Sequence, residues 1–238
     1  MNKKIEIDLS DAIVAKPLRF RAGKRSFSIY PPTLGKIQIL KNLYLDMDTD
    51  AVLLAADPPG ETMRLSREYP DVVSRILAYS TFDDKRTLLD AEKVEQRARF
   101  FKDHLTAHER ATLLALILTN DKTEEFIRYF GIDADRQMRS RISRLKDGGG
   151  SASSGSLTFG GKSIYGLLVD FACQRYGWTM DYVVWGISYT NLSMLFADAV
   201  TTVYLTDEER RQLGVGFGEV IDADDPANRE LVRELISE

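Results

Sequence analysis

Near its start the chain alternates apolar and polar residues in three short stretches. Ile5-Glu-Ile-Asp-Leu9, Leu18-Arg-Phe-Arg-Ala22 and Arg25-Ser-Phe-Ser-Ile-Tyr30 repeat every second residue, the spacing of a strand with one buried face. Gly23 separates the last two stretches. Glycine tolerates the positive φ of a tight turn, so these two read as a hairpin. Pro31-Pro32 ends it.

The pattern then changes to helical spacing. Thr33 is placed to cap a helix whose inner face carries Leu34, Ile37, Leu40, Leu43 and Tyr44. Pro58-Pro59-Gly60 breaks the pattern, and Pro70 stands at the start of a helix with Val73, Ile76 and Leu77 inward. Thr106-Ala-His-Glu109 has the form of a capping box and predicts a helix buried through Ala111, Leu114, Ala115 and Leu118. Asp121-Lys-Thr-Glu124 predicts a second box, with Gly131 as the stop. Ala134, Met138, Ile142 and Leu145 space a further helix over 134–146.

Asp147 to Ser156 is rich in Gly and Ser, the composition of a flexible linker. The sequence therefore divides into an N-terminal domain over 1–146, a linker over 147–156 and a small helical module with an acidic tail over 157–238. The fold class is mainly α, with a small N-terminal sheet or hairpin. In the last segment, Ile164, Leu167, Leu168 and Phe171 form one helical stripe, with Gly177 as its end. Leu192, Leu195, Phe196, Ala199 and Val203 form another, joined to the first by a short helix near Asp181 to Trp185. Thr206-Asp-Glu-Glu209 is a third capping box, and a terminal helix is predicted over 225–236.

Composition narrows the classes of function. The 238 residues are 44% hydrophobic and 29% charged, with a net charge of −4. Such a chain has no global attraction to nucleic acid or an anionic membrane. A single cysteine fits a reducing compartment. Charges at Lys3, Lys4, Glu6 and Asp8 occupy the place where a secretory signal needs an apolar run. The uncharged run between Asp181 and Asp198 is too short to span a membrane. The chain is expected to be cytosolic.

Several motifs approach a known chemistry and miss it. Gly160-Gly-Lys-Ser163 resembles the end of a phosphate-binding loop, but the position five before its last glycine is Ser156. Asp46-Met-Asp48-Thr-Asp50 opens like a calcium loop, yet position six is Ala51 and position twelve is Asp57. His104 and His108 are four apart, with a helix start between them. Cys173 reads as a buried helical thiol beside the apolar stripe rather than a nucleophile. No active site, metal or cofactor is expected.

Two features remain. The helix over 134–146 carries Arg136, Arg139, Arg141, Arg144 and Lys146, a possible contact face for phosphates or an acidic partner. The second is the segment around Tyr176-Gly-Trp178 and Tyr182-Val-Val-Trp185, in a region with only five charged residues between Leu157 and Leu205. Trp178, Tyr182, Trp185, Leu192, Leu195 and Phe196 could close the core of a small module. Equally, they could hold a partner helix, since Trp and Tyr are enriched at binding hot spots.

These stretches together resemble the tail assembly chaperones of long-tailed bacteriophages. The resemblance rests on Leu18 to Tyr30, on the Pro31-Pro-Thr33-Leu34 entry into the first long helix, on the helix from Ile164 to Tyr176, on Tyr176-Gly-Trp178 and Tyr182-Val-Val-Trp185, and on Leu192 to Tyr204. It implies a non-enzymatic protein of the host cytoplasm that binds the tape measure protein, helps recruit tail tube subunits and self-associates in some cases. Accessory nucleic-acid binding through the basic helix is the alternative reading.

Overall fold

A computed structural model describes residues 3–148, 163–200 and 202–214. Among these residues the fold is mainly helical with one two-stranded antiparallel sheet. Packing divides the chain into two compact units. The first contains the described residues of 3–133 and 163–199, and the second those of 134–148 and 200–214. The division expected at residues 147–156 therefore differs from the one packing makes, because residues 163–199 belong to the same unit as the hairpin and the early helices.

The hairpin of the first unit forms as its alternation predicts. Strands β1 (Leu18–Ala22) and β2 (Arg25–Ile29) pair with Phe20 opposite Phe27 and Ala22 opposite Arg25. Gly23 takes φ +56° at the turn, a conformation that costs glycine little. Phe20 and Phe27 stack at 5.6 Å and meet Phe101 of helix α7 (Ala91–His104) at 5.7 and 4.8 Å.

The first alternating stretch is not a strand. Residues Lys3–Ile13 form helix α1. Its half-buried positions are Ile5, Glu6, Asp8, Leu9, Asp11 and Ala12, among which Ile5, Asp8, Leu9 and Ala12 keep the helical spacing i, i+3, i+4, i+7. The five-residue alternation lies inside this longer pattern, and tertiary contacts select the helix. Lys122 Nζ pairs with Asp8 at 2.5 Å, and Asn191 donates to the Ile13 carbonyl at 3.2 Å.

Helix α2 (Leu34–Leu45) starts at the Thr33 cap, whose hydroxyl accepts from Lys36 N. Two acidic residues of the calcium-like stretch also act as caps. Asp50 accepts from Val52 N and Leu53 N to open α3 (Ala51–Ala56), and Asp57 accepts from Gly60 N to open α4 (Pro58–Glu68). Pro58-Pro59-Gly60 thus begins a helix instead of breaking one. Proline lacks only a donor that the first helical turn leaves unused.

Helix α5 (Pro70–Ser80) buries Val73, Ile76 and Leu77 completely. After the short α6 (Lys85–Leu88), α7 packs along α5 and α8 (Ala107–Thr119) packs along α4. The α8 capping box is formed in full by Thr106 and Glu109. The box expected at Asp121 is not. Asp121 Oδ1 accepts from both the backbone and the hydroxyl of Thr123, and α9 (Thr123–Tyr129) has no side-chain cap.

Helices α11 (Ile164–Tyr176), α12 (Met180–Trp185) and α13 (Tyr189–Ala197) enclose a small core of Leu168, Ala172, Val183, Ile187 and Leu192. Leu167 of the expected α11 stripe is exposed, and Ala172 takes its inward place. Helix α13 ends at Ala197, so Ala199 and Val203 do not extend its stripe. The group joins the earlier helices through backbone and side chains. Thr33 bridges Ser188, Tyr189 N donates to the Pro32 carbonyl at 2.8 Å, and Trp185 packs on the hairpin core.

Helix α10 (Ile132–Gly148) begins two residues before the expected start and carries Asp147 and Gly148 within it. In the second unit Lys146 Nζ donates to the Tyr204 carbonyl at 2.9 Å. Helix α14 (Asp207–Leu213) opens with the complete Thr206–Glu209 capping box. The rest of the Gly/Ser stretch, Gly160 to Lys162 and the terminal helix expected over 225–236 lie outside the described residues.

Candidate functional site

The aromatic segment is positioned by three local signals. Gly177, at φ +66°, ends α11 and turns the chain. The Thr179 hydroxyl accepts from Tyr182 N at 3.2 Å and starts α12. The Ser188 hydroxyl accepts from Asn191 N at 3.3 Å and starts α13. The Tyr182 ring lies over Gly186, where an added Cβ would come within 2.3 Å of Tyr182 Cδ2.

These turns align five rings in a continuous ribbon. Phe196 of α13 meets Phe171 of α11 at 5.2 Å, and Phe171 meets Tyr176 at 5.8 Å, both edge to face. Tyr176 meets Trp178 at 4.8 Å, and Trp178 meets Tyr182 at 5.1 Å. All the centroid separations suit favourable ring pairs. Arg175 sits 5.6 Å over the Phe171 ring.

The ribbon is at the surface. Tyr182 is 45% exposed, Met180 beside it 66% and Leu195 37%. Trp178, Tyr176, Phe171 and Phe196 are half-buried. Tyr176, Trp178 and Phe196 pack part of their surface against the core of Leu168, Ala172, Val183 and Leu192, whereas Tyr182 stands outside it.

Of the six residues read from the sequence as one partner-binding group, Trp178, Tyr182 and Phe196 join the ribbon and Leu195 lies at its end. Leu192 does not take part, since it is fully buried. Trp185 turns the other way, onto α2 and the hairpin core, with Lys85 Nζ 5.8 Å over its ring. Lys85 also pairs with Asp181. Helix periodicity alone would put Tyr182 and Trp185, three residues apart, near one face; the packing of the indole against Gly35 and the hairpin core is what separates them. Phe171 and Tyr176 are ribbon members that the sequence showed only as a helix stripe and a turn residue. Their five-residue spacing within α11 is not one of the usual helical pairings, and Trp178 reaches Tyr176 only across the turn at Gly177.

The basic candidates lie on α10. Arg136, Arg141 and Arg144 are exposed and Arg139 is half-buried, its Nε donating to the Asp135 carbonyl at 3.4 Å. His104 ends α7, stacked on Phe100 at 4.1 Å, whereas His108 belongs to α8.

Fold and surface together define a mainly helical protein with a small hairpin and a partly exposed aromatic ribbon. No family model matches the chain, and no curated protein or solved structure matches it. Among the described residues no helix is long and apolar enough to cross a membrane.

Proposed function

We propose that the protein is a non-enzymatic assembly chaperone that holds an amphipathic helix of a partner against its aromatic ribbon. The supporting observation is the ribbon itself, five rings in contact one after another, four of them half-buried and Tyr182 exposed at one end. A long amphipathic helix exposes apolar stripes that aggregate in water. Rigid aromatic side chains cover such stripes at low entropic cost.

The resemblance to tail assembly chaperones supplies the partner: the tape measure protein of a long-tailed phage, met in the host cytoplasm, with tail tube subunits recruited afterwards. The test is co-expression of the full chain with a long heptad-rich protein encoded beside it. The chain keeps that protein soluble, and Trp178→Ala with Tyr182→Ala releases it to the pellet while the variant's own melting curve stays cooperative. Retention of the partner by a folded double variant overturns the reading. Salt-sensitive DNA binding lost on Arg139→Glu with Arg144→Glu would instead favour the alternative, nucleic-acid binding by α10.

A further inference from the structure

The first unit contains a cavity of about 330 Å³, within the size range of small-molecule sites. One part of its wall is aliphatic, from Ile29 of the hairpin, Ile37 and Leu40 of α2, Ile117 of α8 and Leu168 of α11, and the rest carries tyrosines and polar side chains. Lys36 also lines it and is only 1% exposed. Among the described residues its Nζ forms no ion pair; it sits 5.8 Å from the centroid of the Tyr30 ring, and Asp83 acts on it from farther away.

We propose that this cavity binds a small apolar monocarboxylate, with its tail among the aliphatic walls and its carboxylate on the Lys36 ammonium. A buried ammonium without a direct ion-pair partner is costly, and an anion brought to it recovers part of that cost. Lys36 belongs to the first turn of α2, where the helix dipole adds further positive potential. One cation matches one negative charge, and Asp121, also in the lining, disfavours a doubly charged phosphate. Burial pushes the Lys36 ammonium down to about 8, against the smaller opposing pull of Asp83. It is therefore protonated at neutral pH and loses its charge in mildly alkaline solution.

The other titratable groups around the cavity are Tyr30, Tyr44, Tyr165, Tyr189, Lys16 and Asp121. Lys16 is paired with Asp11 at 2.8 Å, and Asp121 is held by Thr123. Neither competes for the carboxylate at Lys36. The inference does not depend on the chaperone reading, since the ribbon residues are not part of this lining.

The probe is decanoate, titrated calorimetrically into the full chain at neutral pH, with decanol as its uncharged counterpart. Saturable binding at one site follows. Lys36→Met weakens decanoate at least about tenfold, the loss of one charge-assisted contact, and leaves decanol unchanged. Raising the pH to about 9.5 has the same selective effect on the wild type. Ile117→Phe, which fills the cavity from another helix and leaves Lys36 in place, weakens both probes. Absence of saturable decanoate binding by the wild type overturns the proposal. So does binding that is equal in wild type and either variant.

Discussion

The indole of Trp185 occupies the space where a side chain on Gly35 would stand. A Cβ built at Gly35 falls 2.6 Å from Trp185 Cε3 and Cζ3. Glycine is required here by close approach, since α2 itself is regular at this point. The contact ties α12 to α2. Gly35→Ala therefore displaces the indole and destabilises the protein by about 1–3 kcal/mol, the usual cost of overpacking. In a Trp178→Phe background, the remaining Trp185 emission shifts to the red, which a fluorescence spectrum checks directly.

Leu192 and Tyr182 lie a few residues apart and respond differently. Leu192 is fully buried in the core of α11 to α13, whereas Tyr182 is 45% exposed. Leu192→Ala leaves a cavity and costs about 2–5 kcal/mol. Tyr182→Ala costs under about 1 kcal/mol. Urea denaturation of the two variants measures the difference. Comparable losses would place Tyr182 in the core and remove it from the proposed contact surface.

Lys36 gives the protein a distinctive alkaline response. Its folded pKa, about 8, lies below the ordinary lysine value of 10.5. Between these values the unfolded chain binds more protons than the folded one, so stability rises with pH through that window. Below about 8 both states are protonated and the cost of the buried charge is fully present. Lys36→Met abolishes the rise and stabilises the protein at neutral pH by roughly 3 kcal/mol. Chemical denaturation of both proteins between neutral pH and pH 10 tests the slope. Above that, Tyr44, whose phenol is pushed up to about 12 by burial, contributes the opposite trend.

Glu61 responds at the acid end. It is fully buried, accepts from Asp50 N at 2.9 Å and pairs with Arg64 at 2.7 Å. The hydrogen bond from Arg64, ahead of the opposing effect of burial, holds its carboxyl below the ordinary range. The stability it supplies is present above the ordinary glutamate value and is lost as pH falls through the lowered one. Glu61→Gln removes this acid dependence and costs about 1–3 kcal/mol near neutral pH, because Arg64 loses a charged partner and retains only Glu68 and the Asp48 carbonyl. Thermal melts from neutral to acidic pH compare the two.

Where a signal is local, the sequence was a sufficient guide. The hairpin followed from alternation around Gly23, and Thr33, Thr106, Thr206 and Pro70 marked helix starts that the structure contains. Caps and turns are decided by a few adjacent residues, so they are visible without the fold. Ile5 to Leu9 misled because five residues fit two periodicities. Asp50 fell in a stretch that opens like a calcium loop and Asp57 at its mismatched twelfth position, and both cap helices, since capping and cation binding use the same side chain. The ribbon was half-visible. Its aromatic density is a matter of composition, while membership depended on the turn at Gly177.

By itself, then, the sequence determined the helical class, the hairpin, the main caps and the aromatic character of residues 176–196. Tertiary structure alone decided that α1 is a helix, that Trp185 faces Gly35 while Tyr182 faces water, and that Lys36 ends buried beside a cavity. Each of those outcomes depends on residues distant in the chain competing for the same space. Which ring is buried and which charge is stranded are properties of packing, and no local pattern encodes them.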